Sequence, residues 1–453
     1  MIAGLLLFSL LSPQVPPAAY QGYLQRGVAA LEAGQLEAAE AAFNHARDLQ
    51  PTKAAIYNNL GEVFSRRGQS AEAIAHFRKA IQLEPTQPKS YLRLATLELQ
   101  LKRFHDAEQT LSNLLYLRPR NASAQLLLGR IAREQDDNAR AEKHLRRYVR
   151  LRPRDPAGLG ELGIVLLRDE KSREGEALLK RALAIDPNLG MAHYNLGLMY
   201  SLRGDAQEGK SHLEAAVRQL PANADAQYQL GVVLVRLGEL EKAETALRRV
   251  LELSPQHLES LYALGTLLGR LGRSKEAAEM LAEHERLSAV TLEQRQRDRR
   301  VSAYHMDAKR FLEEDRVDAA NEKLDEILRL DPQNDLAYYR QSQILFLRRE
   351  YEQALEKAQV AIGKKNFEPA YHLLEAMCWE RLGQDENAAR AYERVVSLDD
   401  YAEAYLALGR IELRQGKHAE AVAHLRRAAA LEPQNPDVRQ ALAEALAGEK
   451  KRK

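Results

Sequence analysis

The feature that most constrains the fold of this chain is a proline that recurs every 34 residues. Seven such prolines follow one another without a gap, namely Pro51, Pro85, Pro119, Pro153, Pro187, Pro221 and Pro255. A fixed interval of this length indicates an architecture built from repeated units. Because one short unit cannot bury its own apolar face, we expect the copies to stack against one another.

The clearest copy spans residues 54–87 and has the pattern of two short amphipathic helices. Its first half places four residues on one helix face, namely Tyr57, Leu60, Gly61 and Phe64. Gly68 is expected to end this helix, because glycine readily adopts the left-handed conformation of a helix stop. Ser70 is expected to cap the second helix, and Pro85 to close it. The sequence therefore predicts a helical hairpin whose helices cross closely at Gly61.

Further copies of this hairpin start at residues 20, 88, 122, 156, 190, 224 and 258, and looser ones at 301, 335, 369 and 402. The pattern of an aromatic residue, leucine–glycine, a second aromatic, alanine, a third aromatic and proline resembles the tetratricopeptide repeat. This resemblance implies an all-α fold, an α-solenoid that winds as a right-handed superhelix of helix-turn-helix repeats. It also implies that the chain binds peptides or partner proteins in a concave groove.

The spacing of the copies suggests a division of the chain. We predict a first array of about eight repeats over residues 20–289, a polar insert at 290–300, and a second array of about four repeats at 301–435. Residues 436–447 are expected to form a capping helix, and 448–453 a basic tail.

Residues 1–19 stand outside the repeats. Their apolar run over residues 2–11 is too short to span a bilayer and has the length of a signal-peptide core. We therefore expect export to the periplasm or the extracellular space, with contact to a membrane only through an uncleaved N-terminal segment. The alternative is a mis-assigned start and a cytoplasmic protein.

Composition narrows the range of partners. The chain has 66 Lys and Arg against 64 Asp and Glu, a formal net charge of +2, which gives no long-range attraction to nucleic acid. Cys378 is the only cysteine, so an intrachain disulfide and a cysteine-based zinc site are excluded. Four histidines share one repeat position (His76, His144, His212 and His424), but helix packing separates such residues by roughly 10 Å per repeat. We therefore expect no metal and no cofactor.

The resemblance assigns the concave groove to five positions of each repeat. Tyr194, Tyr228 and Tyr262 share the fifth position, and Leu198 and Val232 share the ninth. Arginines are expected along the edge of this surface, namely Arg130, Arg133, Arg168, Arg236 and Arg270. The set is typical of a peptide groove. The alternative is ordinary scaffold surface, because tyrosine is common at the fifth position in this family.

One motif points to different chemistry. Residues 204–211, GDAQEGKS, match the phosphate-loop pattern, which requires a strand before the loop and a helix after it. The preceding residues have helical periodicity instead, which argues against a phosphate site. The sequence thus predicts a non-catalytic scaffold that binds peptide segments or partner proteins. Two alternatives remain open: a regulatory or substrate-binding arm of a separately encoded enzyme, such as a glycosyltransferase or sensor, and a nucleotide-binding enzyme.

Overall fold

The computed structural model describes residues 17–168 and 171–452, and these residues form 24 α-helices and no strand. The predicted all-α fold is therefore confirmed. The predicted signal segment lies almost wholly outside the described residues, since the first helix begins at Pro17. Within the described ranges, no helix is both long enough and apolar enough to cross a membrane.

Most helices pair as hairpins. The first helices of the hairpins are α1 (Pro17–Glu32), α3 (Ala54–Arg66), α5 (Pro88–Gln100), α7 (Ala122–Glu134), α9 (Pro156–Arg168), α11 (Gly190–Arg203), α13 (Ala224–Arg236), α15 (Leu258–Arg270), α18 (Asp335–Leu347), α20 (Pro369–Arg381) and α22 (Ala402–Arg414). The second helices are α2 (Leu36–Leu49), α4 (Ser70–Leu83), α6 (Phe104–Leu117), α8 (Asn138–Leu151), α10 (Ser172–Ile185), α12 (Ala206–Gln219), α14 (Leu240–Leu253), α17 (Val317–Leu330), α19 (Tyr351–Lys364), α21 (Asp385–Leu398) and α23 (His418–Leu431). Two helices depart from this scheme. Helix α16 (Ser274–Glu313) packs against α15 near its start and against α17 near its end, and α24 (Pro436–Arg452) follows the last hairpin.

The close crossing predicted at Gly61 is present. A methyl group added to Gly61 would lie 2.6 Å from Cε1 of Phe77, whose side chain is fully buried. The same relation joins Gly163 of α9 to Leu179 of α10, where the distance from the added methyl to Cγ is 2.8 Å. The hairpins that have a glycine at this position therefore use the missing Cβ on the first helix to seat a large side chain of the second helix.

The turn inside the hairpin differs from the sequence prediction in one detail. Gly68 does end α3 in the left-handed region, with φ of 73°. Ser70 is not a cap, however, because α4 already begins at this residue and the flanking Gln69 makes no side-chain capping bond. The tight turn explains the shift, since the Gln69 N–H donates to the Phe64 carbonyl at 2.9 Å and brings the chain into the helix one residue early.

The longest helix, α16, runs without interruption through the predicted insert and past the predicted repeat start at 301. No glycine or proline occurs between Ser274 and Glu313, so nothing in the sequence stops the helix there. The division into two arrays at this point stays a prediction. At the C-terminus, α24 continues to Arg452, beyond the predicted end at Ala447, and its Gly448 packs closely against the His418 ring.

The described chain forms two compact modules. The central module comprises residues 98–299, and the terminal module comprises the described residues up to Leu97 together with those from Arg300 onward. In the central module, consecutive hairpins pack in chain order from α7 to α15, and separate apolar clusters fill the contacts between them, one of which includes Leu234, Leu247 and Leu264. In the terminal module, α18 to α24 also pack consecutively, and α4 additionally contacts α21.

Candidate functional site

Three of the predicted groove residues lie around one surface cavity of the central module. This cavity has a volume of about 370 Å³ and is lined by Arg133, Arg168 and Tyr194, together with Glu134, Asp136, Ile164, Met191 and Asn195. The residues come from three successive first helices, α7, α9 and α11, and from the turn after α7. Each of the three successive hairpins therefore contributes part of the cavity wall.

Tyr194 forms the aromatic wall of the cavity. Its side chain is half-buried and packs beside the apolar core of the module. Burial raises the pKa of its phenol, so the hydroxyl stays protonated at neutral pH and can donate a hydrogen bond. Met191, one helical turn earlier, is 47% exposed and supplies an apolar surface at the rim.

The arginines of this region are not equivalent. Glu161 of α9 accepts from the Arg130 Nε at 2.9 Å and from an Arg133 guanidinium nitrogen at 2.5 Å. Arg133 also lies 3.7 Å from Glu134, so both guanidinium groups are held in ion pairs within the protein. Arg168 is exposed and lies at the edge of the cavity, which makes its guanidinium the group best placed for an incoming acceptor.

The other predicted tyrosines lie on the next two hairpins and do not line this cavity. Tyr228 of α13 is half-buried, with its ring 5.1 Å from that of His257. Tyr262 of α15 is 57% exposed, with its ring 5.5 Å from that of His284. Leu198 and Val232 are each half-buried on α11 and α13. The predicted strip is thus divided between a cavity at Tyr194 and a more exposed aromatic surface at Tyr262.

Arg236 has a structural contact that the sequence analysis missed. Its guanidinium donates to the Ser201 carbonyl of the preceding hairpin at 3.0 Å. Arg66 makes the equivalent bond to the Leu31 carbonyl at 3.0 Å, so this repeat position also joins successive hairpins. The sequence could have indicated this role, because the last carbonyls of every helix need hydrogen-bond donors and a cationic side chain is favoured there. Arg270, in the same repeat position, is exposed.

The four histidines at the shared repeat position pack against the first helix of their own hairpins. The His76 ring stacks on Phe64 at 5.0 Å, and the His212 ring stacks on Tyr200 at 5.6 Å. Burial is the main reason why the pKa of His76 falls to about 4. Among residues 17–168 and 171–452, no group of three or more potential metal ligands comes together.

The phosphate-loop pattern has the wrong structural context. Helix α11 precedes it, and Gly204 is the left-handed residue that ends that helix, with φ of 92°. Lys210, which would face a phosphate, instead pairs with Glu239 of the next hairpin at 2.7 Å between Nζ and Oε1. The pattern is therefore explained by a hairpin turn followed by a helix.

Several solved structures are similar to parts of the chain. MamA from Desulfovibrio magneticus RS-1 is 25% identical, with 37% of this chain and 96% of that chain covered and a TM-score of 0.34. YrrB, described as a TPR protein with an unusual peptide-binding site, is 24% identical over 41% of this chain and 96% of its own, with a TM-score of 0.34. The pilF protein of Pseudomonas aeruginosa is 18% identical over 46% of this chain and 96% of its own, with a TM-score of 0.41. A comparison with curated proteins gave no match.

Family models give a broader result. Models described as tetratricopeptide repeat match residues 24–88, 66–131, 202–264, 258–283, 305–370 and 402–445. Together these ranges cover more than half of the chain, and their hairpins are those described above. The chain therefore belongs to the tetratricopeptide repeat proteins.

Proposed function

We propose that this chain is a non-catalytic scaffold that binds an extended segment of a partner protein on the surface formed by α7, α9 and α11. The observation that supports this proposal is the cavity of about 370 Å³ in which the Tyr194 ring, the exposed Arg168 and the apolar Met191 come together. Tyrosine and arginine are, with tryptophan, enriched among the residues that contribute most of the binding energy at protein interfaces.

The cavity has the size and chemistry for one anchoring side chain rather than a whole ligand. Its volume is at the lower end of the range of roughly 300–1,000 Å³ that is typical of small-molecule pockets. Met191 and Ile164 offer an apolar surface, while Tyr194 and Asn195 offer hydrogen-bonding groups. An extended peptide could therefore place one apolar or aromatic residue here and continue along the neighbouring hairpins.

Charge around the cavity favours a particular order of residues in the bound segment. Arg168 of α9 is suited to a carboxylate, whereas Glu134 of α7 and Asp136 of the following turn would repel one. We therefore expect the segment to carry an acidic residue next to its apolar anchor, on the side of α9. Because Arg168 is exposed, this part of the affinity should weaken as salt concentration rises.

The test is selection of peptides from a random library on the full chain, followed by affinity measurement with the best peptide. Tyr194→Ala combined with Arg168→Ala should weaken binding at least about ten-fold, equivalent to about 1.4 kcal/mol, with helical content unchanged. The matched control combines Tyr116→Ala with Arg120→Ala, because both residues are exposed in the same module and neither lines the cavity. Equal losses in the two double variants, or no loss in either, would contradict the proposal.

A further inference from the structure

One cavity of the terminal module lies where α4 meets α21. It has a volume of about 850 Å³, and its wall also includes residues of α5, α22 and α23. This volume lies within the range of pockets that enclose small organic ligands. None of the residues assigned to the peptide groove lines it.

Two ion pairs hold the cavity wall together across a long separation in sequence. Arg78 of α4 donates to Asp399 at 2.7 Å, and Arg394 of α21 donates to Glu72 of α4 at 3.0 Å. All four side chains are at least two-thirds buried. The arginine of one pair belongs to α4 and that of the other to α21, so the two pairs connect the helices in both directions.

Most of the cavity wall is apolar. Ala75 and Ile81 of α4 face Val396 of α21 and Ala423 of α23, and the Tyr405 ring lies on the same wall. Small side chains at Ala75 and Ala423 leave the space open. Such a surface is suited to an aliphatic or aromatic ligand body, because burying it removes apolar area from water.

The polar groups of the wall are mainly donors. Arg78, Lys79, Arg427 and His424 line it, and Glu393 is the one carboxylate among its lining residues. Arg78 is paired with Asp399 and Arg427 with Asp400, so the wall is not strongly charged. A guanidinium carries five N–H donors, however, and each carboxylate engages only one or two of them.

Arg78 has donors that a ligand in the cavity could reach. Its side chain is 22% exposed and lines the cavity, and its hydrogen bond to Asp399 comes from Nη2. The Nε is inaccessible to solvent, so a ligand in the cavity would not contact this atom. The Nη1 donors have no acceptor among the described residues, and a carboxylate is the acceptor that an arginine binds most strongly.

We propose that this cavity binds a carboxylate attached to an apolar body, with the carboxylate at Arg78 and the apolar body along Ala75, Val396 and Ala423. Two sources supply this chemistry, namely a free aliphatic acid and the C-terminal residue of a peptide. The inference is independent of the peptide groove in the central module.

Calorimetric titration of the full chain with four probes tests both sources. Octanoate is compared with octanamide, and an acetylated tetrapeptide ending in a free leucine carboxylate is compared with its C-terminal amide. At least one carboxylate probe should bind one-to-one, and its amide should bind at least about ten-fold more weakly, equivalent to about 1.4 kcal/mol. Octanoate binding indicates a free acid, and binding of the peptide alone indicates a protein C-terminus.

Two variants test the location, each with a matched control. Ala75→Phe fills the cavity without removing an ion pair, whereas Ala41→Phe makes the same change at the equivalent exposed position of α2. Arg78→Gln removes the donor, whereas Arg248→Gln changes an ion-paired arginine at the equivalent position of α14. Ala75→Phe and Arg78→Gln should each lower the affinity for the probe at least about ten-fold, and the control variants should leave this affinity unchanged.

The inference fails if neither carboxylate binds, if the amides bind equally well, or if Ala75→Phe binds like the unmodified chain. Circular dichroism identifies a variant that has lost its fold. Because Ala75→Phe leaves Arg78, Asp399, Glu72 and Arg394 in place, it keeps the test decisive even if Arg78→Gln opens the contact.

Discussion

Two glycines three residues apart on α9 should respond in opposite ways to the same substitution. A methyl group added at Gly163 would lie 2.8 Å from the Leu179 Cγ and 3.0 Å from the Gly175 carbonyl oxygen. A methyl group added at Gly160 would meet no atom within 4 Å. Both residues lie inside one helix, so Gly163→Ala and Gly160→Ala differ only in what the new methyl contacts.

The size of the effect follows from two terms. Replacing glycine by alanine inside a helix stabilises it by roughly 0.5–1 kcal/mol, and this term is common to both variants. Overpacking costs about 1–3 kcal/mol and applies only at Gly163, because Leu179 is fully buried and the Gly175 oxygen belongs to the backbone. Gly160→Ala should therefore raise the free energy of unfolding by up to about 1 kcal/mol. The free energy of unfolding of the Gly163→Ala variant should be lower than that of the Gly160→Ala variant by about 1–3 kcal/mol.

Urea unfolding followed by circular dichroism measures the difference. Hydrogen exchange of the α9 and α10 amides should accompany it, since repeats couple mainly to their neighbours and one global transition is not assured. Equal shifts in the two variants would refute the reasoning, because they would show that the hairpin does not depend on the missing Cβ.

Three further predictions concern single residues. Burial and the nearby Arg47 lower the pKa of His76 from 6.5 to about 4, so the unfolded chain binds more protons between these values and the free energy of unfolding should fall as pH drops through that window. Urea unfolding at several pH values should show a smaller fall for His76→Gln, whereas an imidazole that titrates near 6.5 by NMR would contradict the assignment. Because Lys210 is held by Glu239, Lys210→Ala should leave a calorimetric titration with ATP unchanged, and saturable ATP binding that this variant abolishes would restore the phosphate-loop interpretation. Arg349 has φ of 65°, so Arg349→Gly should raise the free energy of unfolding by roughly 0.5–1 kcal/mol, and a decrease would show that the left-handed backbone is not strained.

The sequence predicted the hairpins because the residues that start and end their helices act locally. Helices α3, α5, α7, α9, α11, α13 and α15 begin at the residues that the 34-residue interval gives as repeat starts. Gly68 and Gly204 end their helices in the left-handed conformation, as glycine allows at a helix stop. The same rule failed at Arg349, where the repeat geometry forces a non-glycine residue into that conformation.

The contacts between hairpins were much less accessible to sequence reasoning. Glu161 accepts from both Arg130 and Arg133, and Arg236 donates to the Ser201 carbonyl, because stacking brings neighbouring repeats together. A list of groove positions treats these arginines as alike and does not show which of them are already paired. Among residues 17–168 and 171–452, only Arg168 and Tyr194 combine an assigned groove position with a place in the cavity and no ion pair or side-chain hydrogen bond to another described residue.

The contact of α4 with α21 could not be predicted from any local sequence pattern. Its partners Arg78 and Asp399 are more than 300 residues apart in sequence, and each looks like an ordinary charge on a helix surface. The cavity beside this contact depends on that pairing, so the sequence contained no signal for a ligand site there.

The proposed peptide site can be tested most directly by photo-crosslinking. A photoreactive benzoylphenylalanine in place of Met191, at the rim of the cavity, is irradiated in the full chain with the peptide selected from the library. The control places the same residue at Leu202, which lies on the same helix, is 76% exposed and does not line the cavity. The scaffold proposal predicts a crosslinked product from position 191 and none from position 202. Equal yields from the two positions, or a product from position 202 alone, would contradict it.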